Sequence, residues 1–553
     1  MWSETRVFLA FVAVFLAGCA QAPDLAVVAR KIVTMDEKQP EAQVLLVRGG
    51  RIVAVGSREQ LASSVKKARQ MLDFGDAVVY PGFIDAHLHV ASTGRALMEL
   101  NLVGTRSLDE VLEKVREKAA ELGPGEWLLG RGWDQNDWPV KRFPTRHDLD
   151  RVVPDRPVYL KRIDGHAGWA NSEALRLAGI TADTPDPEGG RIVRLPGTRE
   201  PSGILVDNAM GLMSGVLPQE GPELVRKQIL AAMDHFASLG LTCVHDAGVD
   251  SVDLAVYRDL VDAGQAKVRV YAMLSHGPIL DDYFRSGPVL DYGNGMLTVR
   301  CVKLYADGAL GSRGAALFEP YSDDPGNRGL LVTPPEEIEA VAERALRAGF
   351  QVATHAIGDR ANHLVLDAYE KALAAVPTKD ARLRVEHAQV LAPQDIPRFA
   401  KLGVIPSMQP THATSDMPWA EDRLGPERVR GAYAWRSLLD TGVRIPGGSD
   451  SPVESANPLL GLYAAVTRQD LDGNPPGGWY PEQCVTIHEA LRMFTIDAAY
   501  AAFQEDELGS LSPGKRADLT VLDRDLTGIP PGEIPNAKVL ATVVGGRVTY
   551  RSR

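Results

Sequence analysis

Cysteine is scarce in this chain. Its only four are Cys19, Cys243, Cys301 and Cys484. With Cys19 set aside as part of the leader, an odd number with no close pair remains, which excludes a disulfide scaffold or a zinc knuckle and leaves buried free thiols. Aromatic residues are also few, 6% of 553 residues against 45% hydrophobic residues overall. That balance fits a large α/β protein and excludes a disordered or fibrous one. Positive charge is in deficit, with a formal net charge of -12 and no cluster of Lys and Arg. A duplex-binding surface needs a basic footprint, so no nucleic acid partner is expected. The apolar run at residues 7–17 is too short to span a bilayer as a mature helix.

What stands at the N-terminus is MWSETRVFLAFVAVFLAGCAQAPD: a short polar head with Arg6, the apolar run, then small residues, the order of a secretory signal peptide. The ending Leu16-Ala17-Gly18-Cys19 resembles a bacterial lipobox. That resemblance implies a signal peptide at 1–18, lipidation of Cys19, and a tether over 19–24 that holds the protein on a membrane without crossing it. The expected location is the bacterial cell envelope. Ala20 after the cysteine points to the periplasmic face of the outer membrane.

Residues 25–80 alternate in short pieces, VVARKIVTMD, AQVLLVRGGRIVAVG and AVVYPG, with a Gly49-Gly50 turn. The end of the chain, 505–553, repeats this style in ADLTVLDRDL and AKVLATVVGGRVTYRSR. Both ends are therefore expected to build one small β-sandwich. Between them, over 81–504, β-branched runs alternate with helix-sized segments: VVYPGFIDAHLHV, GLTCVHDAG, KVRVYAML, RCVKLYADG, FQVATHAIGD, LRVEHAQVL, GVIPSMQP and VRIPGGSD. Parallel βαβ units in that number predict an α/β fold, a TIM-like (β/α)8 barrel. The stretch 91–228 is too long for one crossover and reads as an inserted subdomain over the barrel mouth. Its Trp133 and Trp138 are expected to form its own core.

Polar residues recur where these runs end: His87, His89, His245, Lys303, His355, His387 and Asp450. In such a barrel those ends form the catalytic face. His87 and His89 lie two apart on a strand and so share a face. With His355, His387 and Asp450 they make a donor set suited to zinc or another borderline divalent ion. Lys303, within VKLYADGALGS, places an amine in a strand that should be apolar. Pairing with Asp307 or Asp246, snorkelling, or chemical modification would each relieve it.

The words PGFIDAHLHV, DGHAGWANSEAL, VKLYADGALGSR, THAIGDRA, VEHAQV, GGSDSPV and GKRADLTVLD together resemble the amidohydrolase superfamily, in its family-3 branch of exoenzyme-like and N-substituted formamide deformylase-like proteins. The resemblance implies a metal centre held by His87, His89, His355, His387 and Asp450, with one or two ions per chain. It also implies that Lys303 is carboxylated and bridges two metals. The activity implied is hydrolysis of non-peptide C–N bonds in a small amide, formamide or cyclic amide by a metal-activated hydroxide, with Asp450 as general base and then acid. The same ligands would suit an esterase or phosphotriesterase, and a third reading is a binding lipoprotein without catalysis. His166 is a candidate donor to the substrate or else a packed or capping residue, and Arg313 a candidate partner for a substrate carboxylate or else a solvated or loop-bracing residue. His245 and Asp359 read as supporting residues. The remaining histidines, His412 among them, read as surface or core residues.

Overall fold

The structure, a computed structural model, describes residues 22–123, 125–218 and 221–552. The leader, the tether as far as residue 21 and Cys19 lie outside these residues. No helix among the described residues is long and apolar enough to cross a membrane.

Seven strands of one parallel sheet form the barrel wall: β1 (Phe83–Leu88), β2 (Leu241–Val249), β3 (Arg269–Ser275), β4 (Leu297–Tyr305), β5 (Gln351–Ala356), β6 (Arg384–His387) and β7 (Ile405–Ser407). They pair in chain order. Every residue of β1, β5, β6 and β7 is buried, as expected for parallel strands sandwiched between the barrel interior and outer helices. Those helices show the matching stripe. Pro335–Arg347 buries Ile338, Val341, Ala342, Ala345 and Leu346, spaced three and four apart so that one face meets the strands.

The eighth position is filled by residues 446–450. On one side the Met408 N–H donates to Pro446 O at 3.0 Å and the Gly448 N–H to Met408 O at 3.1 Å. On the other, the Ala86 N–H donates to Gly447 O at 2.9 Å and the Asp450 N–H to His87 O at 2.7 Å. Pro446 has no N–H to give, so this stave is irregular. Gly448 is required by close approach, since a Cβ there would stand 2.7 Å from the His87 nitrogen. The fold is a TIM-like α/β barrel.

The chain ends meet in one mixed sheet in which the C-terminal strand Leu519–Leu522 pairs with Val78–Pro81. Hydrogen bonding joins the strands of both chain ends into one sheet, whose edge strand Arg51–Gly56 bridges back from Arg51 to Arg516. It closes on a core that includes Val27, Leu45, Val79, Leu519 and Val543.

The insert carries a six-stranded sheet between Leu100 and Asp207. Its core holds Trp133, Trp138 and Trp169 with Leu128 and Leu160. It is narrower than the sequence suggested. The helices Val90–Ala96 and Pro222–Ser238 at its two ends pack into the barrel core through Val90, Ile229, Met233 and Phe236. Gly94 lets them touch, because a Cβ there would lie 1.9 Å from Gln228 O.

Candidate active site

The strand ends deliver their polar residues to one place. His387 closes β6 and Asp450 ends the eighth stave, and both are in left-handed backbone, at φ 73° and φ 58°. That region is sparsely populated for residues other than glycine and costs on the order of 1–3 kcal/mol. The surrounding hydrogen bonds hold it, and Asp450 is turned into the mouth by the bond its own N–H makes to His87 O.

Ligand atoms of His87, His387 and Asp450 all lie within 4.8 Å of one another, and all three residues are buried. Each imidazole has one nitrogen engaged away from this point. His87 Nδ1–H donates to Glu386 Oε2 at 2.5 Å, and His387 Nδ1–H to Gln409 Oε1 at 2.8 Å. The Nε2 atoms are thereby left to a ligand, the arrangement that orients metal-binding histidines. Two imidazoles and a carboxylate fit a borderline divalent ion. His89 Nε2 stands 3.2 Å from Asp450 Oδ1, just past the end of β1. The His355 ring lies 4.6 Å from that of His387, with its Nε2 turned toward Asp307 Oδ1 at 3.6 Å and Gly308 O at 3.5 Å.

Lys303 joins this group. Its Nζ is 3.3 Å from His87 Nε2 and 4.5 Å from the Tyr305 ring centre. The aspartates considered as partners are committed elsewhere: Asp246 accepts from the Val90 N–H and Tyr257 hydroxyl, and Asp307 from three backbone N–H groups. Burial depresses the Lys303 ammonium to about 8, against the opposing pull of Glu386 and Asp450. Burial also acts to raise Asp450, but the hydrogen bonds from His87 and His89 and the charge of His387 hold its carboxyl well below the usual range.

Beneath the donors lies a fully buried ion pair. Arg384 donates through Nε to Glu386 Oε1 at 2.6 Å, and through its terminal nitrogens to Ala86 O, Ser407 Oγ and His245 Nδ1. Glu386 therefore holds His87 and is itself held. His245 belongs to this floor.

His166 reaches the mouth from the insert, its ring 5.1 Å from that of His355 and its Nδ1–H on Asp207 Oδ1 at 2.7 Å. Burial opposes its charge, but Asp207, with Asp164 and Asp450, outweighs burial and raises the imidazolium to about 9. Arg313 is engaged elsewhere. Its guanidinium grips Asp323 through Nε at 3.2 Å and Nη2 at 2.9 Å, and it is absent from the residues lining the mouth cavities. Asp323 also takes Arg423, so Arg313 braces a loop. Asp359 likewise braces backbone, accepting from the Phe318 N–H.

The sequence reading missed His412. It lies on the helix Pro410–Asp416 immediately after β7, stacked on His387 at 5.7 Å and with Nε2 3.8 Å from Asp450 Oδ2. The signal was present, since QPTH directly continues a strand-end word. Glu386 was equally visible beside His387 in RVEH.

Buried imidazole and carboxylate donors at the C-terminal mouth of an α/β barrel define the class of metal-dependent hydrolases. The sequence profile of the amidohydrolase family matches residues 70–550, and the chain belongs to that family. It is 33% identical over 546 residues to N-substituted formamide deformylase of Arthrobacter pascens, covering 96% of this chain and 99% of that one. It is 36% identical over 546 residues to Protein LONG AFTER FAR-RED 3 of Arabidopsis thaliana, covering 95% and 91%. A solved structure of an uncharacterized metal-dependent hydrolase from Pyrococcus horikoshii superposes with a TM-score of 0.74 at 30% identity, over 92% of this chain and 99% of that one. The protein is thus a metal-dependent hydrolase of carbon–nitrogen bonds other than peptide bonds.

Proposed function

We propose that the enzyme hydrolyses N-acyl or N-formyl amides, or cyclic amides, of small molecules, with zinc as its metal in one or two ions per chain. The observation that carries this reading is the convergence of His87, His387 and Asp450 within 4.8 Å, with His89, Lys303 and His355 lining the same cavity as His387 and Asp450. A bound ion supplies Lewis acidity and brings the pKa of water toward neutrality.

The chain's own residues would do the rest. Asp450, ionised across the working range, takes the proton from the attacking water and passes it to the leaving nitrogen. His166, charged near neutral pH and fixed by Asp207, donates toward the developing oxyanion from the insert side. The buried Lys303 amine, with its basicity lowered, has a neutral fraction that can add CO2, forming an N–C bond and releasing one proton to solvent. The carbamate so formed is an anion with two oxygens to offer, which supports a second ion and removes the cost of an unpaired ammonium. The leader sequence supports attachment through Cys19 to the cell envelope, on the periplasmic face of the outer membrane, where the substrate would be met.

The test is a panel of N-formyl, N-acyl and cyclic amides with matched esters, assayed on zinc-loaded protein. Turnover of amides supports the reading, and turnover of esters alone would defeat it.

A further inference from the structure

The mouth has two lobes that share the donors. One, of about 400 Å³, contains Arg131, Lys303 and Tyr305. The other, of about 330 Å³, opens between the insert and the segments after β6 and β7. His166, His355, His387 and Asp450 line both, so a substrate lying across the donors places its two halves in different lobes.

The second lobe is acidic beyond compensation. Arg162 is its one arginine or lysine among the described lining residues, and it is consumed by Asp134 and Asp164. Three further carboxylates form no salt bridge among the described residues. Asp416 accepts on Oδ2 from the Tyr433 hydroxyl at 2.5 Å and from Gln389 Nε2 at 3.1 Å, which leaves Oδ1 open. Glu454 accepts on Oε1 from the Ser415 hydroxyl at 2.5 Å, which leaves Oε2 open. Asp137 starts the wall on the insert side. Burial, then the neighbouring Asp450 and Asp137, pushes Glu454 up to about 7. Asp137 is exposed at the rim of the lobe. Partly buried carboxylates such as Glu454 and Asp416 are costly until a counter-charge arrives.

An independent feature points to a ligand in the same lobe. His412 lines it and is only 8% exposed, yet its Nε2 has no hydrogen-bond partner. It stands where the lobe joins the donors. Val103, Leu310, Trp419 and Val453 complete the lining with an apolar surface suited to a carbon chain.

We propose that this lobe selects amides bearing an ammonium or guanidinium group on one side of the scissile bond, with Glu454, Asp416 and Asp137 receiving the cation and His412 Nε2 bonding the polar part of the substrate nearest the donors. The proposal rests on the amide-hydrolase reading and names its substrate class.

Two measurements separate the two. Binding of 1-hexylamine, an ammonium at neutral pH, and of neutral 1-hexanol to zinc-loaded full-length protein is compared by calorimetry, a readout that needs no turnover. The amine is expected to bind at least tenfold more tightly, with the ratio falling as NaCl rises. Glu454→Gln and, separately, Asp416→Asn are each expected to cut that ratio by about tenfold, in protein whose circular dichroism matches the wild type. Equal binding of the amine and the alcohol, or a ratio untouched in a folded variant, overturns the proposal. Turnover of N-acetyl-1,5-diaminopentane is then compared with that of N-acetylhexylamine. A kcat/KM higher by tenfold or more for the cationic amide supports the proposal, and equal values overturn it while leaving amide hydrolysis intact. Failure of the hydrolase reading would show separately, as selectivity for the ammonium without turnover of either amide.

Discussion

The floor and the mouth of this barrel are built from the same kinds of residue and treat them in opposite ways. In the floor, Arg384, Glu386 and Ser407 are wholly buried and bonded to one another. A few ångströms up the strands, Lys303 meets His87 Nε2 and a tyrosine ring, His412 Nε2 has no hydrogen-bond partner among the described residues, and His387 and Asp450 occupy left-handed backbone. Buried polar groups are normally satisfied. The floor spends its charges on fixing a geometry, and the mouth keeps its own for something that must bind.

If that contrast is right, mouth substitutions change chemistry and floor substitutions change stability. The largest effect is expected for Asp450→Asn. It removes the proton carrier and should lower kcat by about 10²- to 10⁴-fold, measured on protein whose melting temperature stays near that of the wild type. In the floor, Glu386→Gln leaves Arg384 buried without its counter-charge. It should cost about 3–5 kcal/mol in urea unfolding, and should weaken metal affinity about 10- to 100-fold by releasing His87 Nδ1. A stable Glu386→Gln enzyme with normal metal content would break the comparison.

A pH titration sharpens it. The folded His166 imidazolium is raised to about 9 from about 6.5 when unfolded. Its contribution to stability is therefore fully present below about 6.5 and is lost as pH climbs through 9. Asp207→Asn should flatten the fall in melting temperature over that window. Smallest of all is Arg313→Ala, which removes a half-exposed loop ion pair and should cost less than about 1 kcal/mol with kcat/KM unchanged. A large loss of kcat/KM would return Arg313 to the substrate site.

Much of this was legible in the residues. The barrel could be counted because each parallel strand is a short apolar run ending in a polar residue, and even the irregular eighth stave announced itself as IPGGSD. His87, His387 and Asp450 stood at those ends. The partner of Arg313, Asp323, lies across a loop with no periodicity, so only the folded chain shows the pair. His412 was passed over because it follows its strand by five residues and sits on a helix. The limits of the insert were blurred for a related reason. An amphipathic helix reads the same whether it packs on the insert or on the barrel, and the contact of Gly94 with Gln228 is invisible in one dimension.

The central claim is that the mouth donors hold a divalent metal needed for amide hydrolysis. It is tested most directly by elemental analysis of purified wild-type protein and of a His87→Asn, His387→Asn double variant, each assayed on the same N-formyl amide. The account predicts between one and two zinc ions per wild-type chain, with loss of both metal and turnover in the double variant. A wild-type chain that turns over the amide after complete removal of metal, or a double variant that keeps its full metal content, would contradict it.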